Sequence, residues 1–210
     1  MMTRATIPMT ARRRLTVLPL PLLLLLGGCL SGPPPVRYLL EPAPVNPGAV
    51  PRPASTGTLP DALGLRTVAL PGYVRDSAIT GRGEGRRLLT DETAQWAEAP
   101  DAAVTRVLAE SLRRRSGEPV LVEPLPRGFD PDRRIEVIFD RLLGNRRSGV
   151  DIAGQIRIVS GDGRQLERIV PFSFDYRAEG DGQSGYFAAL AVGLDDLARL
   201  IVDTLVDVPS

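Results

Sequence analysis

Between Arg133 and Arg177 the chain carries three long β-prone runs in succession: Arg133–Leu143, Val150–Ser160 and Gln165–Arg177. No other feature restricts the fold as much. Neighbouring strands of this length make a tall sheet, and a sheet with an apolar face must bury it against another layer. Asp162-Gly163 between the second and third runs is a tight-turn signal, so these two are expected as a hairpin. In the third run Val170, Phe172, Phe174 and Tyr176 alternate with Pro171, Ser173, Asp175 and Arg177, which gives one apolar and one polar face. Pro171 has no N–H to offer a ladder, so this strand belongs at an edge or is bulged there.

Two helices supply the cover. Pro100 to Arg115 reads as the first, with Pro100 and Asp101 suited to its opening turn. Val104, Val107, Leu108, Ser111 and Leu112 recur at helical spacing and form one buried face. Arg113, Arg114 and Arg115 complement the C-terminal dipole, and Gly117 is a suitable cap. The same triple Arg has a second reading as a lipid-phosphate site. The final helix starts at Ser184 or Gly185, with Phe187, Leu190, Ala191, Leu194, Leu197, Ala198, Ile201 and Leu205 as its apolar stripe. Shorter strands are expected at Val36–Leu40, Leu65–Leu70, Arg87–Thr90 and Pro119–Glu123. The fold class is therefore α/β: a single domain with a mixed, mostly antiparallel sheet flanked by two main helices.

The opening of the chain sets location. Arg12, Arg13 and Arg14 precede a short apolar stretch, Leu15 to Leu26, broken by Pro19 and Pro21. A membrane-spanning helix needs ~20 apolar residues, so this is the length of a secretory signal peptide. It ends in Leu26-Gly27-Gly28-Cys29, the bacterial lipobox pattern, and Cys29 is the sole cysteine. Two small residues let the extended backbone enter a peptidase cleft, the thiol accepts diacylglycerol, and cleavage frees the amine for an N-acyl chain. An ordinary signal peptide with a chance cysteine is the bland alternative. Two or more acyl chains anchor stably where one does not. Leu30 follows the cysteine, rather than the Asp that retains lipoproteins at the inner membrane in enteric bacteria, so the outer membrane is the expected destination.

The chain divides into three segments: 1–28 as lipoprotein signal peptide, 29–60 as lipidated N-terminus with a first short strand and Pro-rich linker, and 61–210 as the α/β domain. Prolines at 33–35, 42, 44, 47, 51, 53 and 60 stiffen the second segment. The stretch 41–60 reads as a surface loop if Tyr38 pairs in the sheet, and otherwise as a spacer from the membrane.

Composition excludes several chemistries. The 210 residues carry a net charge of +1, all 26 basic residues are Arg, and there is no His. Residues 1–28 hold four of those Arg and no acid, which leaves 22 bases against 25 acids and a net charge of −3. A mildly acidic domain is not a nucleic-acid binder. Without His the commonest general base and zinc ligand are missing, and one Cys permits no intrachain disulfide. Gly81-Arg-Gly-Glu-Gly85 is a hairpin tip and not a phosphate loop. Asp195 precedes Arg199 by four residues, the spacing of a surface pair. No catalytic set, metal site or cofactor is expected beyond the acyl chains on Cys29.

The order of several motifs is specific. The lipobox, Arg37-Tyr38-Leu39-Leu40, Leu70-Pro-Gly-Tyr running to Ile79-Thr80, Trp96-Ala-Glu98 and Arg106-Val-Leu-Ala-Glu-Ser-Leu112 occur in sequence. In this the chain resembles the ABC-type transport auxiliary lipoproteins, the PqiC-like family. Family members often read Tyr-Leu-Asp-Arg where this chain has Tyr73-Val74-Arg75-Asp76, with the charges in reversed order. The resemblance implies a fold similar to anticodon-binding and TolB N-terminal domains. It also implies a non-catalytic role in an MCE-type lipid transport system, with an MCE-domain protein, a permease and an ATPase as partners, and a homo-oligomer as one arrangement. Tyr73, Arg75 and Trp96 are the expected partner contacts, because aromatics and Arg anchor interfaces. Trp96 has a second reading as a plug beneath the first helix. A structural lipoprotein that stabilises an outer-membrane or cell-wall complex is the rival function, and a periplasmic hydrolase a more distant one.

Overall fold

The computed structural model describes residues 34–44, 59–74, 76–145, 149–177 and 182–207. Its strands are β1 (Val36–Tyr38), β2 (Leu63–Leu65), β3 (Ala78–Arg82), β4 (Leu88–Trp96), β5 (Val120–Val122), β6 (Arg133–Asn145), β7 (Gly149–Ser160) and β8 (Leu166–Arg177). Helix α1 spans Pro100–Ser116 and α2 spans Gly182–Val206. The described residues from Pro34 to Asp207 belong to one compact unit, which includes the short strand that the sequence reading grouped with the linker.

The three long runs form the antiparallel meander β6-β7-β8. Val150, Ile152, Ile156 and Ile158 alternate inward on β7 and are buried. The turn after β7 is organised as the Asp-Gly pair implies. Gly163 takes φ 74°, and the Asp162 carboxylate accepts from the Ser160 hydroxyl and the Arg164 N–H. Among the described residues β8 pairs only with β7, and Pro171 sits opposite Gln155 on this edge strand. The bulge in this pairing falls near Ile158 and Val159 and not at Pro171.

The other side of β6 is shared. β2 runs parallel to its start, and β5 adds beyond β2. β3 runs parallel to its end at Gly81–Gly144, followed outward by β4 and β1. The sheet is mixed: the parallel pairings are short, and the antiparallel ladders hold most of the paired residues.

The strand expected over Leu65–Leu70 is only partly formed. Leu65 pairs with Ile135, but the next bridge is Ala69 to Ile138, which leaves one residue extra on this side. The Val68 N–H accounts for the break: it leaves the sheet and donates to the Thr105 hydroxyl of α1 at 3.0 Å. β4 is longer than the expected Arg87–Thr90, because it continues to Trp96 where β1 pairs with it.

Both helices cover one face. α1 ends as its sequence requires, with Gly117 at φ 77° and its N–H on the Arg113 carbonyl. The whole apolar stripe expected of α2, from Phe187 to Leu205, is buried. The triple Arg is engaged within the domain. Arg113 donates to the Val120 carbonyl at 2.9 Å, Arg114 to the Ala43 carbonyl at 3.1 Å, and Arg115 to Asp195 of α2. Asp195 is therefore not the partner of Arg199. Arg199 instead pairs with Asp196 at 2.8 Å, one helical turn back, because Asp195 faces α1.

Candidate functional site

Several expected site residues lie outside the described residues: Leu26, Gly27, Gly28, Cys29 and Arg75. Tyr73 and Trp96 are described. Tyr73 sits in a short 3₁₀ turn, Gly72–Val74, closed by the Val74 N–H on the Pro71 carbonyl. Its ring is half-buried against the core, and its hydroxyl accepts the Leu142 N–H at 3.3 Å. The residue ties the turn to β6.

Trp96 is a correction to the reading of it as a partner contact. Its side chain is 3% exposed. The indole meets Phe187 edge-on at 4.7 Å and Tyr186 at 6.3 Å, both on α2. Tyr38 stacks on the same Phe187 at 5.7 Å and pairs in register with Trp96. The bulk of the indole and its place at the inner end of β4 put it in the core, under α2 rather than under α1. Tyr73 and Trp96 therefore do not form one exposed patch.

The sequence reading missed what lies beside this aromatic cluster. Between β3, β4, the end of β6 and the first turn of α2 is a cavity of about 520 Å³. Its wall is shaped by an irregularity in β4. Ile79 pairs with Asp91 but Ala78 pairs with Gln95, so Glu92, Thr93 and Ala94 bulge out of register. Bulges of this kind bend a strand and re-aim its side chains. Asp91 closes the bulge by accepting the Thr93 N–H at 3.0 Å and the Thr93 hydroxyl at 2.6 Å. Its other oxygen accepts from Gln183 at 3.0 Å, which fastens the start of α2 to β4. The Thr93 hydroxyl, with Gln183 and backbone donors, holds the Asp91 carboxyl below its ordinary range, so it is ionised at neutral pH. The Asp-x-Thr spacing at 91–93 is a recognised local hydrogen-bonding signal and could have pointed to this turn.

Asp162 of the β7–β8 turn and two tyrosines are also perturbed. Tyr176 on β8 donates to Asp196 on α2 at 2.6 Å, and burial with that carboxylate raises its pKa. Burial likewise raises the pKa of Tyr186. Among the described residues no group of three His, Cys, Asp or Glu side chains has the proximity to hold a metal ion. No described helix is long and apolar enough to cross a membrane.

Residues 38–202 match the model of a family described as the ABC-type transport auxiliary lipoprotein component. Two crystal structures are similar in fold. One, of an uncharacterized protein, is 18% identical with a TM-score of 0.65, covering 82% of this chain and 99% of its own. The other, a DUF330-family protein from Xanthomonas campestris, is 12% identical with a TM-score of 0.62, covering 82% and 95%. No curated protein matches the chain.

Proposed function

The chain belongs to the ABC-type transport auxiliary lipoprotein component family, and on that premise we propose that it is the non-catalytic, lipid-anchored periplasmic subunit of an MCE-type lipid transporter. In this reading Cys29 carries diacylglycerol and an N-acyl chain and holds the domain at the outer membrane. The folded unit docks the MCE-domain protein, whose permease and ATPase act from the inner membrane, and supports passage of lipid between the two membranes.

The observation that carries the reading is the coupling of two signals in one chain. A lipobox ends at Cys29, and the family's domain begins nine positions later at Tyr38. Double or triple acylation suits a subunit that must stay at one membrane while its partners span the gap.

Detergent extracts of membranes carrying a tagged chain test it. The tagged protein is expected to bring down an MCE-domain protein together with a permease and an ATPase. Recovery of barrel-assembly or cell-wall proteins alone contradicts the transport role and favours a structural lipoprotein. With Trp96 in the core, Arg75 remains the residue proposed to touch the partner, and Arg75→Ala is expected to lower that recovery.

A further inference from the structure

The case for a ligand in the cavity beside α2 does not rest on the transport role. The cavity is lined by the acids Asp91 and Glu92, by Gln183 and Tyr186, and by apolar Ile79 and Leu89; none of its described lining residues is basic. Elsewhere in the domain acids meet arginines: Glu136 with Arg66 at 2.6 Å, Asp151 with Arg141 at 2.7 Å, Asp196 with Arg199 at 2.8 Å. Among the described residues Asp91 instead has only neutral donors, from Thr93, Gln183 and the Ala94 backbone. Glu92 beside it is exposed, and the first turn of α2 adds about half a positive charge.

An independent feature of the same wall is Tyr186. It is 4% exposed, yet its hydroxyl has no hydrogen-bond partner among the described residues. Tyr186 lines the cavity, so its hydroxyl is available to a ligand that can accept from it. Its ring is fixed on three sides. Trp96 and Phe187 meet it edge-on, and a Cβ at Gly144 would lie 3.0 Å from its Cδ2, a tight contact that the glycine avoids. Burial keeps the phenol protonated, so it stands as a donor.

We propose that this cavity binds a small organic cation bearing a hydrogen-bond-accepting oxygen, of the ethanolamine or choline class. The cation lies against Asp91 and Glu92, the oxygen accepts from Tyr186, and the hydrocarbon meets Ile79 and Leu89. A volume of about 520 Å³ lies in the range of small-molecule pockets and is far more than a bare ion fills. Such a group can come from a free amino alcohol or from a zwitterionic lipid headgroup.

Titration calorimetry of the mature protein in nonionic detergent tests this with four water-soluble probes: ethanolamine, choline, glycerophosphoethanolamine and glycerophosphoglycerol. Saturable binding of the cationic probes is expected, with glycerophosphoglycerol at least about tenfold weaker. Tighter binding of glycerophosphoethanolamine than of ethanolamine supports the headgroup as the source, and equal binding supports a free amino alcohol. Thr90→Arg, which sets a guanidinium at the exposed rim, is expected to abolish binding at unchanged melting temperature. Tyr186→Phe is expected to weaken binding several-fold without loss of stability. Equal binding of glycerophosphoglycerol, no saturable binding of any cationic probe, or unaltered binding in both variants overturns the proposal.

Discussion

Tyr38 and Trp96 pair side by side in β1 and β4 and both rest on the ring of Phe187. The ring of Phe187 thereby helps fasten the first strand of the domain to its last helix. Phe187→Ala removes one stacked and two edge-on ring contacts and leaves a cavity in the core. A loss of about 3–5 kcal/mol is expected, read from the urea unfolding midpoint. Val36→Ala, at a position 58% exposed on the same strand, is expected to change stability by less than about 0.5 kcal/mol.

Arg115 and Asp195 join α1 to α2, with Arg114 3.6 Å from the same carboxylate. Both side chains of the main pair are about three-quarters shielded. A double-mutant cycle of Arg115→Ala and Asp195→Ala is expected to give a coupling of about 1 kcal/mol, near the upper end for such pairs. A coupling indistinguishable from zero would show that helix packing alone sets the α1–α2 contact.

Gly154 lies opposite Phe139, where β6 slips register before Arg141. A Cβ at Gly154 would stand 2.0 Å from the Ile138 carbonyl oxygen, so the two backbones approach only because a glycine is there. Gly154→Ala is expected to cost about 1–3 kcal/mol. Gly85→Ala, in the open turn between β3 and β4, meets no atom within 4 Å but must hold φ 63°, and is expected to cost about 1 kcal/mol. Urea unfolding midpoints of the two variants check both values.

Asp91 makes the stability of the domain sensitive to acid. Its pKa is lowered on folding, first by the Thr93 hydroxyl. The stability it contributes is therefore fully present above the ordinary value of 3.8 and is lost as pH falls through the lower folded value. Asp91→Asn is expected to be less stable than the parent at neutral pH, with the gap closing only below 3.8 in urea titrations run across the acid range. A gap that stays constant with pH would assign the effect to packing alone.

Local signals made much of this legible. The alternation in β8, the helical stripes of α1 and α2, and the Asp162-Gly163 turn depend on neighbours along the chain, and the folded domain carries all of them. What sequence reading lost depends on distant partners. The Val68 N–H leaves its sheet because Thr105 stands across from it. β4 runs past Thr90 through polar Asp91-Glu92-Thr93 because β1 is there to pair with it. Trp96 reads either as an interface anchor or as a plug beneath the first helix, and only α2 folding over it decides for the core and names the helix that covers it. The cavity was invisible for the same reason, since its walls come from four separate elements.

Fractionation of the Cys29→Ala variant bears most directly on the central claim, that one lipidated cysteine sets where this domain works. On a density gradient the parent is expected in the outer-membrane fractions and Cys29→Ala in the soluble periplasm or otherwise displaced. Cys29→Ala sedimenting with the outer membrane as the parent does would contradict that claim.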